Sequence, residues 1–308
     1  MVKRMKMKKY IQSMMAFAAI VSFASCSSED NNTTIENESA TKVMTFTATQ
    51  EGNEASTRAI LSGTNIHWES EDEISLLYSS ENKQFTLTDG AGSTSGKFSG
   101  EALESGPYTA VYPYQSTASL SGNDVTNVTL PATQTATDNS FDKNAALMMA
   151  KSTKTTLEFK NAVGYVKVKP RFACSKIVLK AAGAFEYLAG MCTLSYGDGK
   201  PSITFTSGQS SITLSGNITA NTVYYIAVPA VTLNAGWSIS FTDTTGDVYT
   251  RTGSKSITFK RNTIINLGEF SRTDNKLKLT LSKNGEVPAD KQVDMGVFTI
   301  GDLNSATL

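Results

Sequence analysis

The stretch Trp237-Ser238-Ile239-Ser240-Phe241-Thr242, WSISFT, decides the fold class. Trp237, Ile239 and Phe241 fall on one side of an extended chain and Ser238, Ser240 and Thr242 on the other. A period of two is that of a strand with one face on a core and one in water. The alternation returns in MTFTA from Met44, SITF from Ser202, SITL from Ser211 and SITF from Ser256, and from Lys42 onward no window keeps a helical stripe. The chain is therefore expected to be all-β and built of antiparallel sandwiches. Turn chemistry separates the runs at Asp89-Gly90, in GDGKP from Gly197 to Pro201, at Ser215-Gly216-Asn217, at Asn234-Ala235-Gly236 and at Thr245-Gly246-Asp247. Hairpins and short loops are expected there.

The longest weakly patterned stretch inside this β region is Pro131 to Asn144. After one more short strand at ALMMA, a boundary is expected near Lys154, giving folded units over 42–153 and 154–270. TLEFKNAV from Thr156 and SITFKRNTI from Ser256 look alike, a faint repeat that points to two related sandwiches in tandem.

Ahead of the β region the sequence changes character. Lys3, Arg4, Lys6, Lys8 and Lys9 precede an apolar run from Met14 to Ala24, and Ala24-Ser25 lead directly into Cys26. This is the layout of a secretory signal over 1–25, and the cysteine after the small residues resembles the lipobox of bacterial lipoproteins. Acyl chains contribute about 0.8 kcal/mol per buried methylene, so a multiply acylated Cys26 holds the chain on a membrane leaflet. Residues 26–41 hold almost nothing a core can use and read as a solvated tether. Their SSED start resembles the acidic signal that sends lipoproteins to the outer face of the outer membrane. Past Ser25 the chain carries 23 basic against 28 acidic residues, a net charge of −5 with no basic cluster. Nucleic acid is excluded as a partner on that balance.

Catalytic candidates fail one by one. The single histidine, His67, sits in NIHWESEDEI without any G-x-S-x-G to supply a nucleophile. GAGSTSGKF, Gly90 to Phe98, departs from a phosphate loop at Ala91 and Phe98 and precedes a β pattern rather than a helix. Glu69, Glu71, Asp72 and Glu73 lack the spacing of a calcium loop and read as a solvated turn. Trp237 and Trp68 are both read as core. No enzyme activity, cofactor or metal is expected. Once Cys26 is lipidated, Cys174 and Cys192 remain, either as a pair that an exported location permits to join or as two small buried hydrophobes.

Several stretches together resemble one known family: the lipoprotein cysteine, STRAILSGTNIHWESEDEISLLY from Ser56, LEFKNAVGYVKVK from Leu157 and YYIAVPAVTLNAGWSISFT from Tyr224. They look like the fimbrillins, the subunits of type V pili and their surface lipoprotein relatives. The resemblance implies two transthyretin-like sandwiches, export as a lipoprotein, and assembly with other pilin subunits by donor-strand exchange after an arginine-specific protease removes the first strand. It also implies a role in adhesion, with a host protein or glycan as receptor. The alternative is a surface glycan-binding lipoprotein of a nutrient uptake system, which requires a platform of exposed aromatics.

Within that scheme Arg58-Ala59 is the expected processing bond. Arg58 is the only arginine between the signal and Arg171, and it lies in the polar run EGNEAST-Arg. The strand ahead of it, KVMTFTATQ, is the one given up. Residues 271–308 are the expected donor arm, with Leu277, Leu279 and Leu281 on one face of KLKLTL and a second strand at MGVFTI that includes Val297 and Ile300. The bland alternative is a last hairpin packed on its own domain. Asp243-Thr244-Thr245 also resembles a bacterial O-glycosylation site.

Overall fold

The alternation of MTFTA opens the folded part as β1 (Lys42–Gln50), followed by β2 (Glu73–Tyr78), β3 (Glu81–Asp89), β4 (Ser95–Ala102) and β5 (Tyr108–Tyr112). The chain then leaves this group for β6 (Ser119–Ser121), β7 (Asp124–Leu130) and β8 (Thr133–Thr135), and returns for β9 (Met148–Ser152) and β10 (Thr156–Asn161). It continues as β11 (Val163–Pro170), β12 (Cys174–Lys180), β13 (Gly190–Gly197), β14 (Lys200–Phe205), β15 (Ser211–Ile218) and β16 (Tyr224–Pro229). The last strands are β17 (Thr232–Leu233), β18 (Ser238–Asp243), β19 (Val248–Thr252), β20 (Ile257–Thr258) and β21 (Ile264–Phe270). The computed structural model describes residues 41–51 and 67–272. The expectations for Cys26, Arg58, Ala59, Leu277, Leu279, Leu281, Val297 and Ile300 fall outside them.

The all-β expectation holds, and among the described residues no helix is long and apolar enough to cross a membrane. The first group closes into a barrel in the order β1-β10-β9-β5-β2-β3-β4. Beside it stand sheets of order β16-β11-β21, β19-β18-β12-β15-β8 and β14-β13-β7-β6. The pairing is mixed rather than wholly antiparallel: β1 with β10, β11 with β21 and β15 with β8 run parallel. Alternation reports which face is buried and is silent on the direction of the neighbour. The boundary expected near Lys154 falls in the turn between β9 and β10, which pair with each other inside the barrel. In the other direction, β7 pairs forward with β13 and β8 with β15.

Three cores result, and they share walls. The barrel core holds Phe46, Trp68, Leu76, Phe98, Ala110 and Phe159 among others. A middle core takes Leu77, Val111 and Met149 from the outer faces of β2, β5 and β9, and Tyr165, Tyr225 and Ala227 from β11 and β16. The third takes Val166, Val168 and Ile226 from the opposite faces of β11 and β16, packed on Ile177, Ile239 and Phe241. Hence β5 and β16 are buried at every residue, whereas β18 keeps the alternation of WSISFT.

Turn chemistry is right at Asp198-Gly199, where both residues have positive φ (49° and 71°) in the two-residue link from β13 to β14. It is wrong at Ser215-Gly216-Asn217, which lies inside β15 opposite a register shift on β12 and makes a bulge instead of a turn. The weakly patterned stretch from Pro131 contains β8, and its Gln134 is fully buried. The Gln134 carboxamide donates to the Ala227 carbonyl at 2.8 Å and accepts from the Ala227 N–H at 2.9 Å, imitating a ladder rung on the edge of β16.

Candidate functional site: the first strand and its slot

β1 closes the barrel. It lies antiparallel to β4 from Lys42 opposite Ala102 to Thr49 opposite Ser95, and parallel to β10 only over its second half, from Thr47 opposite Thr156 to Gln50 opposite Phe159. Met44, Phe46 and Ala48 point into the core while Val43, Thr45, Thr47 and Thr49 are exposed. The Phe46 ring meets Phe85 and Tyr108 edge-on, with centroids 5.4 and 4.9 Å away. Ala48 is small for a reason visible in its partner: Gly96 lies opposite, and a Cβ there would stand 2.9 Å from the Trp68 indole. The two small residues admit Trp68, whose indole N–H donates to the Ala48 carbonyl at 3.3 Å. Trp68 is fully buried against Phe98, Tyr112 and Phe159, as the core reading expected.

Just past the end of β1, Glu51 ties the strand to a distant turn. Its backbone N–H donates to the Phe159 carbonyl at 2.9 Å, and its carboxylate accepts the Asn161 N–H at 3.0 Å and pairs with the Arg261 guanidinium. Both side chains are largely out of water, at 10% and 15% exposure. Arg261 Nε–H also donates to the Asn161 carbonyl at 2.6 Å, and the Asn161 amide donates to Asn262 at 2.9 Å. The turn from Lys260 to Thr263 lies close because Gly164 has no side chain: a Cβ there would stand 2.2 Å from the Lys260 carbonyl oxygen. Glu51 and Arg261 carry no motif and are 210 residues apart, so no local pattern marked them.

No protein-family model matches the chain, and no curated protein matches it in sequence. Among solved structures it is similar to a "putative cell adhesion protein" of Bacteroides uniformis at 16% identity, covering 67% of this chain and 89% of that one, with a TM-score of 0.45. A structure described in the same words from Bacteroides ovatus has 13% identity over 74% of this chain and 92% of its own, with a TM-score of 0.43. A fimbrial protein from Bacteroides ovatus has 14% identity over 73% of this chain and 49% of its own, with a TM-score of 0.36.

Of the remaining sequence candidates, Gly90 to Phe98 reaches β1, since its Gly96, Lys97 and Phe98 lie opposite Ala48, Thr47 and Phe46. His67 is exposed, with its Nδ1 2.9 Å from the Gly92 carbonyl, and Gly90 to Phe98 is the β3–β4 loop running into β4. The acidic turn is not wholly solvated: Asp72 is buried, accepts the Glu69 N–H at 2.8 Å and the Tyr112 hydroxyl at 3.1 Å, and lies 3.5 Å from Lys143 Nζ. Burial, with the Asp72 charge, pushes the Tyr112 hydroxyl well above the usual tyrosine range. Cys174 and Cys192 are free, buried, and in different cores, the third and the middle one. Burial pushes both thiols up to about 12.

Asp243 is buried and caps its own turn, accepting the Thr245 hydroxyl at 2.6 Å and the N–H groups of Thr245 and Asp247 at 2.9 and 3.1 Å, while Thr244 is exposed. Of the aromatics, Phe185 is 85% exposed and meets Tyr187, which meets Phe205, but the rings stand at 88° and 63° and make no flat stacking face.

Proposed function

We propose that this chain is a structural subunit of a cell-surface pilus with a role in adhesion, exported as a lipoprotein through Cys26 and assembled by exchange of its first strand. The observation that carries the reading is β1. It closes a barrel, contributes Met44, Phe46 and Ala48 to its core, and is followed by the run that holds Arg58. A cut at Arg58-Ala59 leaves β1 held by hydrogen bonds, apolar contact and the ion pairs of Lys42 with Glu104 and of Glu51 with Arg261. Departure of a closing strand exposes unpaired backbone on β4 and β10 beside an apolar slot, the template for strand addition. A strand from the arm of a second copy, residues 271–308, fills that slot, the two candidates being KLKLTL with Leu277, Leu279 and Leu281 and MGVFTI with Val297 and Ile300, and a head-to-tail contact of this kind repeats into a filament.

In this reading Cys26 and the tether hold the precursor at the outer membrane, an arginine-specific protease releases it, and other subunits and a host receptor are its partners. N-terminal sequencing of the surface form beside an Arg58→Ala variant, with electron microscopy of both, tests it. The expected result is a mature chain beginning at Ala59 in filaments, and no filaments from the variant. Filaments built from chains that begin at Cys26 refute it. Cys26→Ala is expected to abolish labelling by a fatty-acid analogue and release the protein from the membrane fraction.

A further inference from the structure

We infer that the slot of β1 selects its strand by charge as well as by apolar pattern, and that the segment of a second copy that meets both demands is Met295 to Asp302. This rests on the strand-exchange reading above and names the occupant.

The demand for charge comes from Arg261. A guanidinium keeps its proton at any pH a protein survives, and here it is 15% exposed. Among the described residues Glu51 is its ion-pair partner, while Glu158, on the neighbouring β10, is exposed. When β1 leaves, Arg261 loses its counter-charge and the Asn161 N–H loses its acceptor together. Removing one member of a buried pair is far costlier than never having built the pair. An incoming strand that is merely apolar leaves that defect in place, and one that carries a carboxylate at the same point repairs it.

The resident strand states the rule in sequence. Met44, Phe46 and Ala48 are inward, and the carboxylate of Glu51 comes three residues after the last of them. KLKLTLSKN supplies Leu277, Leu279 and Leu281 and then places Asn284, without charge, at the third residue after Leu281. MGVFTIGD supplies Met295, Val297 and Thr299, large to small as in β1, and places Asp302 at the third residue after Thr299. Laid in the direction of β1, this segment alone of the two brings an acid to Arg261.

The test uses the exported chain from residue 26 with a cleavage site placed between residues 52 and 66, nicked so that β1 stays bound without its covalent link. Peptides compete with β1 in sub-denaturing urea, and displacement is read from a fluorophore on the β1 fragment. Peptides 42–51 and 293–302 are expected to displace it, with E51Q and D302N versions about a hundredfold weaker and peptide 276–285 no better than these. Arg261→Gln is expected to remove the preference for acid. The peptide series on the unaltered protein stands whether or not that variant folds. Equal displacement by the acid and amide peptides overturns charge selection and leaves strand exchange intact. Displacement by 276–285 in preference to 293–302 overturns the choice of segment. If no peptide displaces β1, the strand-exchange reading falls and this inference with it.

Discussion

Phe46→Ala measures how much of the barrel depends on the strand that closes it. Phe46 is fully buried and its ring is met edge-on by Phe85 and Tyr108. Truncating a buried Phe to Ala typically costs about 3–5 kcal/mol, more where the surroundings cannot collapse into the space. A closed barrel collapses poorly, and each aromatic pair adds about 0.5–1.5 kcal/mol beyond area, so about 4 kcal/mol is expected. With a urea slope of about 2 kcal/mol per molar, the midpoint falls by about 2 M. The protein carries its own reporters, since Trp68 lies in the barrel core and Trp237 in the third core. In a Trp237→Phe background, fluorescence reads the barrel alone. Val43→Ala, on the same strand but 73% exposed, is the matched control and is expected within about 0.5 kcal/mol of its parent. A loss below about 1 kcal/mol for Phe46→Ala, or one equal to that of Val43→Ala, refutes the claim that β1 is a wall of that core.

Gly164→Ala puts a methyl 2.2 Å from the Lys260 carbonyl oxygen. It is expected to cost about 1–3 kcal/mol as an overpacked site, against little change for Gly197→Ala, where nothing lies within 4 Å; thermal melts of the two decide. The Thr245 hydroxyl, helped by backbone N–H groups and Arg272, holds the Asp243 carboxyl below the usual range. Its contribution is complete above the unfolded value of about 3.9 and is lost as pH falls through the lower folded value. Asp243→Asn is therefore expected to lower stability at neutral pH and make the acid limb of a pH–stability curve shallower. Cys174 and Cys192, buried and with thiols pushed up to about 12, are expected to resist maleimide in the folded protein and react together on unfolding. Rapid native labelling, or a mass that lacks both thiols, contradicts that placement.

How much of this was legible in the sequence follows from the range of each signal. Alternation is local, so β1, β15 and β18 were readable from Met44, Ser211 and Trp237 onward. The direction of a neighbour is not local, and three parallel pairings went unseen. The likeness of TLEFKNAV and SITFKRNTI was visible, but its meaning was not: the two segments lead into β11 and β21, parallel neighbours in one sheet, with Asn161 bonded to Asn262. Asp72 was hidden by its company, since an acidic run reads as solvated unless one knows that Tyr112 comes to meet it. Gln134 looked like one more polar residue because its partner is the backbone of Ala227, 93 residues away. The apolar part of the slot was thus readable in KVMTFTATQ, whereas its charged end became visible only when the turn at Arg261 was brought alongside.

Walls that serve two cores have an owner on each side. β2, β5 and β9 separate the barrel core from the middle core, and β11 and β16 separate the middle core from the third. None of these can be withdrawn without opening two interiors at once. β1 has water behind it, with its four outward residues all exposed. β3 and β4 are joined to each other as a hairpin, and β10 is held in line between β9 and β11. Of the strands that wall the barrel core, the first is thus one whose outer face no second interior depends on.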